Sequence, residues 1–144
     1  METIVIADDV ILKDLVNEKT RRKAFGQLLA KYQQQIYFFI RHQGLDHEDT
    51  DEVTQDVFLT IYRNVSALKL LDELDWIIYG FAAEACKKYF KLKPLEEWLP
   101  TMTAHLKQKG FSFKNIAFRL ELPLKEVKYA YHTFLSKQTA VQNA

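Results

Sequence analysis

Few side chains in this sequence have the type and spacing to do covalent chemistry. His42, His47, His105 and His132 are scattered along the chain, and no pair has the spacing of a metal-binding site. Cys86 is the single cysteine, with nothing beside it to form a catalytic dyad. It borders an apolar helical face, which predicts a packed thiol. Asp46, Glu48 and Asp49 lie close enough for acid–base work or metal binding. They fall at the start of a helix, however, where the macrodipole favours negative charge, and no catalytic partner or Gly-rich loop accompanies them. No P-loop, GxGxxG or GxSxG motif occurs. The expectation is a protein that is not an enzyme and has no metal or cofactor, and whose chemistry is binding.

The charge distribution favours binding as well. Residues 46–75 hold nine acidic and two basic side chains, a net charge of −7. Residues 80–93 hold four lysines against Glu84, and residues 101–144 hold seven basic against two acidic residues. An acidic middle followed by basic segments fits different partners for different parts of one chain, and it also fits ordinary solvated helix faces.

Helices must position these charges. The chain has 144 residues, 48% of them hydrophobic, with four Gly and three Pro, which suits long helices with short joints. Residues 8–17 predict a short helix behind an Asp cap, with Val10, Ile11, Leu12, Leu15 and Val16 apolar. Thr20 opens a long helix to about Gln43, with a stripe at Phe25, Leu28, Leu29, Tyr32, Ile36, Phe39 and Ile40 and a stop at Gly44. The Arg21-Arg22-Lys23 run ahead of that stripe reads as a solvated first turn or a phosphate contact.

The central stretch is DTDEVTQDVFLTIYRNV, residues 49–65. Asp49 can cap it, and Glu52 can reach back in a capping box. Val53, Val57, Phe58, Ile61, Tyr62 and Val65 form one stripe, while Asp51, Thr54, Gln55, Asp56, Thr60, Arg63 and Asn64 form a polar face.

After Ser66 a loop of about six residues leads to a helix from near Asp72, striped by Leu74, Ile77, Ile78, Phe81, Ala82, Ala85 and Tyr89. Lys87, Lys88, Lys91 and Lys93 cluster at its end. The helix dipole alone favours them there, and with Tyr89 and Phe90 between them they equally suit a nucleic-acid surface.

Pro94 closes this helix. Residues 95–109 predict another, aligned on Leu95, Trp98, Leu99, Met102 and Leu106, in which Pro100 marks a kink or the true start and Gly110 the end. Ser112 caps a short helix with Phe113, Ile116, Ala117 and Leu120. Glu121 and Leu122 make a turn, and Pro123 opens a second helix with Val127, Ala130, Tyr131 and Phe134 on one side. This is helix-turn-helix spacing. A Glu121 where Gly is usual keeps a plain helical hairpin open as well. The outward face of the second helix shows Lys125, Lys128, Tyr129 and His132, and the polar tail from Gln138 is expected to fray.

The single cysteine predicts a reducing, cytoplasmic home. No apolar run approaches the ~20 residues of a membrane span, so no membrane insertion is expected. The first residues lack the pattern of a signal peptide.

The ordered set of motifs resembles bacterial RNA polymerase sigma factors of the extracytoplasmic-function (ECF) class. FGQLLAKYQQQIYFFI (25–40) is similar to the family's first long helix, and DEVTQDVFLTIYRNV (51–65) to its core-binding helix. WIIYGFAAEACKKYFK (76–91) is similar to the helix that follows, and GFSFKNIAFRLELPLKEVKYAYHTF (110–134) to the last domain. The resemblance implies an all-α fold, with a sigma region two-like bundle over residues 1–93. Residues 94–144 would hold a short linker and a region four-like helix-turn-helix domain.

The resemblance also implies that Asp51, Glu52, Gln55, Asp56 and Arg63 contact core RNA polymerase. Lys87, Lys88, Tyr89 and Lys91 would then face the minus-ten promoter DNA, and Lys125, Lys128, Tyr129 and His132 the minus-thirty-five element. An anti-sigma factor is the further partner implied. The chain departs from the family at Gly80, Ala83, Glu84 and Lys88, and its linker, about 92–98, is short. These departures point to the alternative, a sigma-like interaction protein that binds polymerase or an anti-sigma factor without opening promoters.

Overall fold

The computed structural model describes residues 6–68 and 72–142, with side chains through residue 140. Every regular element among them is helical. The order is α1 (Asp8–Val16), α2 (Arg21–Arg41), α3 (His47–Arg63), a 3₁₀ turn (Val65–Ala67), α4 (Leu74–Tyr89), α5 (Leu95–Gln108), α6 (Phe113–Leu120) and α7 (Leu124–Gln142). The chain divides into two compact units, Met1–Ala82 and Ala83–Ala144, and the division falls inside α4.

In the first unit α2 packs against both α1 and α3. The apolar periodicity of the three helices accounts for this, because Ile11, Leu15, Leu28, Ile36, Ile40 and Ile61 are all fully buried. The 3₁₀ turn occupies the start of the expected loop and buries Val65, while residues 69–71 of that loop lie outside the described residues. The first part of α4 adds Leu74 and Ile78 to the buried set, and Tyr79 meets Phe39 edge-on at 5.1 Å.

α1 is not capped by an Asp. Its N-cap is Ala7, without a side-chain bond, because Asp8 turns to α2 instead. Its carboxylate lies 2.6 Å from Lys31 Nζ and accepts a 2.6 Å hydrogen bond from Tyr32 Oη. Burial and this carboxylate push the Tyr32 phenol well above its ordinary value. The half-exposed ion pair contributes about 1 kcal/mol at most, whereas truncating a buried Ile or Leu costs about 2–5 kcal/mol. The apolar face therefore holds α1 in place, and Asp8 sets its register. Arg21 belongs to neither sequence reading, since it donates to the Leu15 carbonyl at 2.9 Å and finishes α1.

α3 begins earlier than expected. Asp46 is its cap, accepting from the Asp49 N–H at 2.8 Å, so Asp49 and Glu52 form no capping box. The reason is local: the chain leaves Gly44 at φ 104° with Leu45 buried, and Asp46 is the first residue that can close a turn. Thr54, read as polar face, is buried, and Tyr62, read as core, is 43% exposed.

In the second unit α7 packs on α5 and α6. α5 runs through Pro100 from Leu95, and Trp98 is part of its buried face, so the joint after α4 is residues 90–94. Trp98, Met102, Leu106, Ile116, Leu120 and Val127 form the core. Ser112 caps α6, accepting from the Asn115 N–H at 3.0 Å.

α6 ends in a helix-turn-helix turn. The Leu122 N–H reaches the Ala117 carbonyl at 3.0 Å and the Glu121 N–H the Phe118 carbonyl at 3.3 Å, a Schellman closure. It requires a left-handed residue, and Glu121 takes that role at φ 53°. α7 starts just after Pro123 and continues to Gln142, so the polar tail from Gln138 is built as helix as far as Gln142.

Candidate functional site

The first candidate face is on α3. Asp51, Glu52, Gln55, Asp56 and Arg63 are all exposed on it, as the sequence reading requires. Their placement follows from the opposite stripe, since burying Val53, Val57, Phe58 and Ile61 leaves the remaining positions outside. Asp51 lies 3.4 Å from His47 Nε2, and the other ring nitrogen of His47 shares a hydrogen bond with Tyr37 Oη. The face is therefore anchored to α2 at its acidic end.

Beside it runs a groove of about 340 Å³ between α2 and α3. Phe25, Leu29, Phe58 and Leu59 supply its apolar part, and Gln33 and Asp51 its polar part. Sequence reasoning placed Phe25 and Leu29 wholly in the core and passed over Leu59, which is 48% exposed. The signal for Leu59 was present, because it falls off the spacing of Val53, Val57 and Ile61. An apolar groove with a carboxylate rim suits a partner that offers cations beside apolar side chains.

The second face is the basic end of α4. The four candidates there divide. Lys88 and Lys91 are exposed, and Tyr89 is 42% exposed with its ring edge-on to Phe90 at 5.2 Å. Lys87 is half-buried, and its ammonium donates to the Leu120 carbonyl at the end of α6. It caps that helix and is occupied there. Glu84, one turn earlier, lies 3.8 Å from Arg119 Nε of the same helix. Burial pushes the Glu84 carboxyl above its ordinary value, Arg119 offsets this in part, and Glu121 adds to it. Cys86 is fully buried, and burial pushes its thiol up to about 12, which makes it a packing residue.

The third face is on α7. Lys125, Lys128, Tyr129 and His132 recur at three- and four-residue intervals and are all exposed, Tyr129 to 71%. They form one stripe opposite Val127 and Ala130, which are buried. Phe118 on α6 is 82% exposed and was not singled out from sequence, although it lies off the stripe of Ile116, Ala117 and Leu120. Cations interleaved with an aromatic ring can meet phosphates and base edges.

No protein-family model and no curated protein sequence matches the chain. Among solved structures it is similar to CnrH, determined in complex with the cytosolic domain of CnrY. The TM-score is 0.65 at 19% identity, over 96% of this chain and 98% of that chain. The shared property is the fold, an all-α arrangement over nearly the full length of both chains.

Proposed function

We propose that the protein acts as a sigma factor, docking on core RNA polymerase through the α3 face and directing promoter recognition through its basic faces. The observation that carries this reading is the α3 face itself. All five residues that the resemblance assigns to polymerase are exposed together there, beside an apolar groove. Charged and polar groups on such a face steer association and set specificity. Lys88, Tyr89 and Lys91, exposed at the end of α4, are the residues proposed for minus-ten DNA, and Lys125, Lys128, Tyr129 and His132, exposed on α7, those for the minus-thirty-five element. The division of labour proposed is 1–93 for polymerase and minus-ten DNA and 94–144 for the second element, in a cytoplasmic protein without catalytic activity. CnrH is bound by the cytosolic domain of CnrY in its structure, and an anti-sigma factor is the protein partner proposed here.

A second reading is favoured by a specific observation. Lys87 and Glu84 are both engaged with α6, and the joint of residues 90–94 is short. A protein with α4 so engaged could bind polymerase, or an anti-sigma factor, without opening promoters. Run-off transcription with core polymerase on genomic fragments separates the two. Protein-dependent start sites support the sigma factor, polymerase capture without new transcripts supports the interaction protein, and no capture of polymerase removes the polymerase-docking role from both.

A further inference from the structure

One imidazole links the two walls of the groove beside α3. His47 is the first residue of α3. Its Nδ1 shares a hydrogen bond with Tyr37 Oη of α2, and the two rings meet edge-on at 5.7 Å. Its Nε2 lies 3.4 Å from the Asp51 carboxylate, one turn along α3. Tyr37 and Asp51 both line the groove.

The partners dictate where the ring carries its protons. A carboxylate only accepts hydrogen bonds, so the N–H that faces Asp51 is on Nε2. A neutral imidazole has one N–H, which leaves Nδ1 to accept from the Tyr37 hydroxyl. When the ring gains a second proton, Nδ1 becomes a donor and the Tyr37 oxygen accepts. The link therefore exists in both states, but its charge differs. Histidine is the side chain whose charge ordinarily changes between about pH 5 and pH 8.

The charged groups of the first turn of α3 and its cap are Asp46, Glu48, Asp49 and Asp51. α2 presents the Tyr37 phenol to the ring, while Arg41 of α2 is bound to the Leu45 carbonyl. Asp51 is the carboxylate that lines the groove, so its charge is the one a cationic partner meets there. A proton on His47 offsets that charge at close range. We propose that His47 is a positioning residue of the α3 docking face, which holds Asp51 at the groove when neutral and cancels its charge when protonated, so that docking weakens as pH falls. This inference rests on the docking reading of α3 given above.

The test is capture of core polymerase by the full-length protein between about pH 5.5 and pH 8, in wild type, His47→Gln and Tyr37→Phe. Gln keeps a hydrogen-bonding side chain that gains no charge. Expressing each affinity relative to His47→Gln at the same pH removes the titration of the polymerase itself. The wild-type ratio should fall about two- to fivefold from the top of the range to the bottom, the size of one exposed charge pair. Tyr37→Phe should show a smaller fall, because its imidazole is no longer held at Asp51. Both positions are at least partly exposed, so the variants keep the fold. A purely structural role would change affinity by one factor at every pH. A wild-type ratio that is constant with pH therefore overturns the inference and leaves the docking face in place. So does a full wild-type profile in Tyr37→Phe. No capture at any pH overturns the docking reading, and this inference with it.

Discussion

The α3 face and the basic end of α4 carry charge at similar density, yet the fold uses them in opposite ways. On α3 every candidate side chain is exposed, and Asp51 makes an exposed ion pair with His47. At the end of α4 a lysine-rich sequence is split. Lys87 completes a helix elsewhere in its own unit, Glu84 faces Arg119, and Lys88 and Lys91 stay outside. A charged run on a helix is thus a binding surface only at those positions that the tertiary structure does not claim for itself.

Stability measurements can break or sharpen this contrast. The largest effect is expected at Trp98, which is buried against Phe90. Trp98→Ala should cost about 3–5 kcal/mol in denaturant unfolding, and a loss near zero would take Trp98 out of the second unit's core. Lys87→Met should cost about 1–2 kcal/mol, the loss of a charged hydrogen bond at a helix C-terminus. If unfolding were unchanged while DNA affinity fell, Lys87 would belong with Lys88 and the contrast would disappear.

Two substitutions should stabilise. Glu121 holds a left-handed conformation that costs an L-residue about 1–2 kcal/mol, and Gly gives back part of this in chain entropy. Glu121→Gly should therefore raise stability by about 0.5–1 kcal/mol, and a decrease would show that the Glu121 side chain contributes more than its backbone costs. Glu84→Gln should give a smaller gain, because the carboxylate is partly exposed and screened. Its folded pKa is raised, so wild-type stability declines as pH rises from the ordinary 4.5 through that raised value. The advantage of the variant is then present above this window and absent below it, and an advantage that grows on acidification would contradict the assignment. The smallest change is expected on α3, where Glu52→Lys with Asp56→Lys should move stability within about 0.5 kcal/mol. The same pair should sharply reduce capture of core polymerase, and unaltered capture would take the docking role away from this face.

The helix ends show how far sequence could be read. Gly44 and Gly110 mark stops that a glycine announces, and both take positive φ. Glu121 closes α6 with the same kind of turn that Gly110 provides after α5, where the Phe111 N–H reaches the Leu106 carbonyl at 3.0 Å. No propensity would have chosen Glu there. What overrides its strain is the packing of α7 on α5 and α6, with Val127 and Ala130 buried. The cap of α3 was misread for a related reason. Asp46 and Asp49 are equally good caps by type, and the buried Leu45 beside Gly44 decides between them.

Sequence by itself determined the helices, their apolar stripes and the separation of an acidic middle from basic later segments. These depend on neighbours three and four residues away, which periodicity makes visible. It also determined the exposed stripes of α3 and α7, because an exposed face is whatever the buried stripe leaves over. The tertiary structure alone decided which charges were spent. The partner of Lys87 is a carbonyl 33 residues further along the chain, and nothing local to Lys87 distinguishes it from Lys88. The groove beside α3 likewise exists only where separate helices meet, since a concave surface belongs to no single helix.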